Sequence, residues 1–128
     1  MTPAPPKPTD AELAILRVLW ELGPSTVRQV YEALSRERPT GYTTALKLLQ
    51  IMTDKGLVDR DASERTHVYW TRRSEQQTQR QLVGDLLKRA FDGSAAQLVM
   101  QALATRKATP EELDEIRRLL DEQARSER

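Results

Sequence analysis

Apolar positions recur at helical intervals as far as Met52, alternate with polar ones between Leu57 and Trp70, and return to helical intervals up to Leu120. Leu13, Leu16, Leu19 and Trp20 mark one face of a first helix. Thr9 and Glu12 form a capping-box pair at its start, where hydroxyl and carboxylate satisfy unpaired backbone donors. Gly23-Pro24 ends it. Ser25 or Thr26 caps a second helix bearing Val27, Val30, Tyr31 and Leu34, closed by Pro39. Thr40-Gly41 opens a third, with Ala45, Leu48, Leu49 and Met52 in a stripe. Lys55-Gly56 closes it, the glycine standing where a left-handed residue is needed.

The alternating stretch predicts two strands. Leu57 and Val58 lead the first, and Val68, Tyr69 and Trp70 form the second, with Ala62 to Thr66 as a polar loop. Trp20, Tyr31, Trp70 and Phe91 read as core or interface aromatics, too scattered for a base-stacking platform. Three helices followed by a two-stranded wing over residues 9–73 is the layout of a winged helix-turn-helix. The fold class is therefore mainly α (α+β).

Residues 74–128 predict three further helices. Ser74 with Gln77 starts one bearing Leu82, Val83, Leu86, Leu87, Ala90 and Phe91, and Gly93 breaks it. Ser94 with Gln97 starts another, with Leu98, Val99, Ala102 and Leu103. Thr109-Pro110-Glu111-Glu112 combines a cap, a proline at the first helical position and acids in the first turn. Its stripe is Leu113, Ile116 and Leu120. A segment of this size is marginal alone. Its stripes therefore point to packing against a second copy, with Leu82, Leu86, Phe91, Leu98, Leu103, Leu113, Ile116 and Leu120 as the dimerisation set.

Composition narrows the picture. Residues 1–8 hold four prolines and no apolar run, and are expected to be a disordered lead. No run of about 18 apolar residues exists, so no membrane span is expected. Cysteine is absent, which excludes disulfides and thiolate metal sites and fits a cytoplasmic location. Net charge is +1, but residues 1–73 carry eleven Lys and Arg against nine Asp and Glu, and the rest nine against ten. The front is thus mildly basic, and only a local basic face matters for phosphate contact.

That face is sought on the third helix. Opposite its core stripe stand Tyr42, Thr43, Thr44, Lys47 and Gln50, with no acid between Gly41 and Thr53. Threonine bonds bases or phosphates and its methyl meets thymine; glutamine pairs with adenine; lysine reaches guanine or phosphate. Leu46 and Ile51 lie off the stripe, one for the groove and one for a neighbouring element. Arg60, Arg65 and His67 are the wing candidates for phosphate, interspersed with Asp59, Asp61 and Glu64, so part of the wing must be solvated or internally paired. Arg28, opening the second helix, is a further phosphate candidate. His67 is the one histidine and cannot make a metal site alone.

The segments TDAELAILRVLWELGPSTVRQVYEAL, GYTTALKLLQIMTDKGLVDRD and RTHVYW, with the helical tail, resemble the BlaI/MecI/CopY family of bacterial repressors over residues 9 to 123. The resemblance implies a winged-helix domain, a three-helix dimerisation domain and repression through a dyad-symmetric operator. It places base contacts on Thr43, Thr44 and Lys47, with Tyr42 and Gln50 beside them. In the penicillinase branch a membrane sensor protease triggers cleavage in the dimerisation domain. The matching segment here is Leu98 to Ala102, with Gln101-Ala102 in place of the cleaved Asn-Phe. The copper-responsive branch needs a cysteine pattern that this chain lacks. The expected partners are thus operator DNA, a second copy and such a protease. No cofactor or metal is expected, and no enzymatic activity: there is no phosphate-binding glycine loop and no spaced carboxylate pair. The rival readings are a helical protein-interaction module built on a winged helix, and a ligand-sensing winged-helix regulator.

Overall fold

A computed structural model of the chain describes residues 5–127. Helix α1 spans Asp10–Leu22. Its capping box forms: Glu12 N–H donates to Thr9 Oγ1 at 3.2 Å, and Thr9 N–H donates to Glu12 Oε1 at 2.9 Å. Gly23, at φ 81°, turns the chain out of the helix while its N–H still donates to the Leu19 carbonyl at 2.8 Å. A side chain would strain that backbone. Strand β1 is Ser25–Thr26, and α2 is Val27–Glu37, started by a second capping box between Thr26 and Gln29. Helix α3 is Tyr42–Lys55, two residues shorter at its start than the Thr40 opening expected, because Gly41 is the extended N-cap. Strands β2, Val58–Asp61, and β3, Val68–Thr71, form the wing.

The sheet has three strands in the order β1-β3-β2, all antiparallel. The sequence reading has only two. Ser25–Thr26 shows no alternation because two residues are too few, and Thr26 serves both as strand end and as helix cap. Its pairing with Val68, and that of Ser25 with Tyr69, puts β3 in the centre. Of the two readings of Trp70, core or interface, the core one does not hold within this chain. Tyr69 is the buried ring, and Trp70 faces outward on the opposite side of the pleat.

Among the described residues, every buried apolar residue lies before position 70. Ile15, Leu16 and Leu19 from α1, Val27, Val30 and Leu34 from α2, and Ala45, Leu49 and Met52 from α3 meet Leu57, Val58 and Tyr69 in one cluster. Each Val, Leu, Ile or Met side chain among them contributes about 1.5–3 kcal/mol on burial.

Helix α4, Glu75–Ala90, begins against this body. Trp20 Nε1 donates to the Arg73 carbonyl at 3.1 Å, Thr78 is buried, and Gln81 Nε2 donates to the Pro5 carbonyl at 2.8 Å. By compactness the first unit runs to Val83 and the second starts at Gly84, ten residues beyond the 73/74 boundary expected from the sequence. In the segment expected as a disordered lead, the Pro5 carbonyl takes the Gln81 contact and Pro8 is buried; residues 1–4 lie outside the described residues.

In the second unit α4 ends at Ala90 and the chain turns through Asp92 and Gly93, both at positive φ, with Gly93 N–H donating to the Leu87 carbonyl at 2.9 Å. Helix α5, Ala95–Thr105, is capped by Ser94, and α6, Pro110–Ser126, by the reciprocal Thr109–Glu112 pair. Neither α5 nor α6 buries a residue within this chain.

Candidate nucleic-acid interface

The turn from α2 to α3 is held by its own polar groups. Ser35 Oγ donates to the Thr40 carbonyl at 3.3 Å, and Thr40 Oγ1 donates to the Arg38 carbonyl at 3.2 Å. Ala45, Leu49 and Met52 anchor the inner side of α3, with Leu48 half-buried beside them. Tyr42, Thr43, Thr44, Lys47 and Gln50 are all exposed. At about 100° per residue, Thr43, Lys47 and Gln50 fall within an arc of roughly 60°. Tyr42 stands about 80° beyond that arc on the side of Leu46, and Thr44 about 60° beyond its other edge. Ile51 is outward, 40% exposed, whereas Leu46 packs on the core. The first turn of α3 holds no acid, so nothing there repels an anion.

The far end of α3 is fixed by an ion pair that sequence patterning did not disclose. Lys55 Nζ lies 2.7 Å from Glu12 Oε1, and Glu12 is buried. Burial works against the charge on Glu12, yet the hydrogen bonds from Lys55 and Thr9 outweigh it, so the carboxyl is held below its ordinary range.

In the wing, the acids are largely spoken for. Asp59 takes a two-pronged contact from Arg72, Nε to Oδ2 at 3.2 Å and the terminal nitrogen to Oδ1 at 2.5 Å. Asp61 accepts from the Ser63 N–H at 2.9 Å in a local turn. Hydrogen bonds lower both carboxyls, from Arg72 at Asp59 and from Ser63 at Asp61. Internal pairing thus removes two of the three wing acids from competition with an external anion, as the mixture of charges required.

Arg28, Arg65, Thr66 and His67 are brought together with Tyr42 and Leu46 around one groove of about 400 Å³ between the start of α2, the start of α3 and the wing. No acid lines it. Arg60 is exposed but lies outside that lining. The structure adds two contacts that sequence reasoning missed. The Arg28 guanidinium sits 5.6 Å from the Tyr42 ring centroid, and Tyr31 meets the same ring edge-on at 5.7 Å, the planes inclined at 75°. Tyr31 and Tyr42 are on different helices, so no periodicity within one helix signals the pair.

The tail residues divide by exposure. Leu82, Phe91, Leu98, Leu113 and Ile116 are half-buried, while Leu86, Leu103 and Leu120 are 39%, 40% and 62% exposed.

Against known proteins, the family model described as penicillinase repressor matches residues 8–122. The chain belongs to the penicillinase repressor family. The transcriptional regulator BlaI of Mycobacterium tuberculosis (strain ATCC 25618 / H37Rv) is 35% identical over 114 residues, 88% of this chain and 82% of that one. The penicillinase repressor of Bacillus licheniformis is 24% identical over 117 residues, covering 91% of each. Among solved structures, the Bacillus licheniformis BlaI monomeric form in complex with the blaP half-operator matches with TM-score 0.50 and 25% identity. That match covers 57% of this chain and 89% of that chain. The DNA-binding domain of the repressor BlaI matches with TM-score 0.51 and 24% identity, over 58% and 90%, and shows the shared fold. This member of the repressor family thus has the mainly helical winged-helix architecture read from its sequence. Among its described residues no helix is long and apolar enough to cross a membrane.

Proposed function

We propose that this chain represses transcription as a homodimer, by laying the outer face of α3 into the major groove of a dyad-symmetric operator. The observation that carries this reading is the arc of Thr43, Lys47 and Gln50, exposed, free of acids and flanked by the cationic groove of Arg28, Arg65 and His67. Hydroxyl, ammonium and amide groups there suit base edges, and the groove suits the adjacent backbone phosphates. The solved relative bound to a half-operator supports the same assignment.

Dimerisation rests on the tail. Leu103, Leu119 and Leu120 leave 40%, 51% and 62% of their surface in water, and a second copy is the partner that would cover them. Two heads held at a fixed distance bind only half-sites in register, which sharpens discrimination. The Gln101-Ala102 bond lies inside α5, so a membrane sensor protease would act there only after that helix unwinds.

The test is binding of the full chain to duplex DNA from its own promoter across a salt series. The expected result is an affinity falling steeply between about 50 and 200 mM salt, with a footprint of two half-sites. A chain that ignores duplex DNA at low salt sinks the reading. Leu103→Asp with Leu120→Asp is expected to sediment as a monomer and to lose the two-half-site footprint.

A further inference from the structure

Tyr42 belongs to the polar face that sequence patterning assigns to base reading, but its surroundings differ from those of Thr43, Lys47 and Gln50. It stands outside their arc and above Leu46, at the lip of the groove between α2 and the wing. Its ring is engaged twice: Tyr31 supports it edge-on, and the Arg28 guanidinium lies over it. Arg28 has few other restraints. Its side chain is 70% exposed, and its one ion pair among the described residues is a loose 3.8 Å contact to Glu32, itself 56% exposed.

An unrestrained arginine loses side-chain entropy each time it orders on a phosphate. An arginine already lying on a tyrosine face loses less, and the ring quadrupole favours the cation without neutralising it. The groove that receives it also presents Arg65, Thr66 and His67 and no carboxylate. Glu32 lies outside the lining and pulls Arg28 the other way, along its own helix.

We infer that Tyr42 is a positioning residue: braced by Tyr31, its ring holds Arg28 over the groove as a preset clamp for one backbone phosphate, and Glu32 holds the clamp partly back. This rests on the DNA-binding reading above and assigns Tyr42 no part in reading sequence.

Four full-length single variants, Tyr42→Phe, Tyr42→Leu, Arg28→Ala and Glu32→Gln, and the double variant of Tyr42→Leu with Arg28→Ala test it on the cognate duplex and on a set of single-base-pair variants across a salt series. Tyr42→Phe keeps the ring and is expected within about 2-fold of the parent. Tyr42→Leu keeps apolar bulk but no ring, and is expected to bind about 10-fold more weakly on every sequence. Arg28→Ala is expected to match that loss, with a salt slope lower by about one. The Tyr42→Leu/Arg28→Ala double variant is expected to be no weaker than Arg28→Ala alone. Glu32→Gln is expected to bind about 2-fold more tightly. A Tyr42→Leu loss confined to one base pair makes Tyr42 a base reader and overturns the inference, as does additivity in the double variant. If the parent chain binds duplex DNA with no salt dependence, the DNA reading itself falls; if it binds as expected and only the Tyr42 pattern fails, the clamp alone falls. Because Tyr42 is 42% exposed and outside the core cluster, loss of folding is not the expected outcome, and the melting temperature of each variant checks it.

Discussion

Glu12 Oε1 accepts from Lys55 Nζ at 2.7 Å, joining the first turn of α1 to the last turn of α3. The same oxygen accepts the Thr9 N–H, so one carboxylate oxygen both caps a helix and fixes the far end of the helix that carries the candidate reading face. With Glu12 buried and Lys55 one-third exposed, the pair is shielded on one side only.

Glu12→Gln should therefore keep the cap and lose the charge pairing. The expected cost is about 1–3 kcal/mol, below that of breaking a fully buried pair because Lys55 still reaches water. Chemical denaturation at neutral pH measures it. The sign with pH follows from the lowered carboxyl. Glu12 binds protons less readily folded than unfolded, so its contribution is complete above its ordinary range of about 4.3 and disappears as pH falls through its depressed folded value. The difference in stability between parent and Glu12→Gln should shrink over that acidic window and stay constant above it.

Tyr69 and Trp70 are adjacent aromatics with opposite surroundings. Tyr69 is 1% exposed in the centre of the sheet, and Trp70 is 36% exposed across from Asp59. Tyr69→Ala is expected to cost about 3–5 kcal/mol and Trp70→Ala under about 1 kcal/mol. Thermal unfolding of the two variants decides between them. Equal losses would mean that Trp70 is covered, most directly by a second copy of the chain.

The same pair shows where sequence patterning stops. The helices were readable because Thr9, Gly23, Gly56 and Thr109 are local signals, each satisfied by backbone groups within a few residues. The alternation of Val68, Tyr69 and Trp70 was equally plain, but alternation alone does not say which face points inward. β1, two residues with no pattern of their own, pairs with β3 from 42 and 44 positions away and puts it in the centre of the sheet, and the helical core packs on the Tyr69 side. The exposed outer side of α3 was visible as the side opposite Ala45, Leu49 and Met52. The link from Glu12 to Lys55 and the contact of Arg28 with Tyr42 join separate helices, and only packing brings them together. The start of α4 is hidden for a like reason: Trp20 and Pro5 hold it on the first body through contacts distant in sequence.

Lys47 is exposed at one edge of the outer arc of α3. Lys47→Ala is expected to cost about 1–3 kcal/mol in operator binding and to relax preference at one base pair if its ammonium meets a base. A loss shared by all sequences, with a salt slope reduced by about one, would assign it to a phosphate instead. Binding curves on a set of single-base-pair variants separate the two results.

Gly84 sits in the interior of α4 at the junction of the two compact units, and a Cβ added there meets nothing within 4 Å. Glycine in a helix interior costs about 0.5–1 kcal/mol relative to alanine. With no steric reason for it in the single chain, Gly84→Ala should raise stability by that amount, read as a higher denaturation midpoint with an unchanged slope. The opposite outcome would be as informative. A loss of stability that deepens on dilution, together with weaker self-association in sedimentation, would mean that another chain approaches the α4 backbone too closely for a methyl group. Gly84 would then mark the contact between copies from the inside of the helix, where no exposed leucine could reveal it.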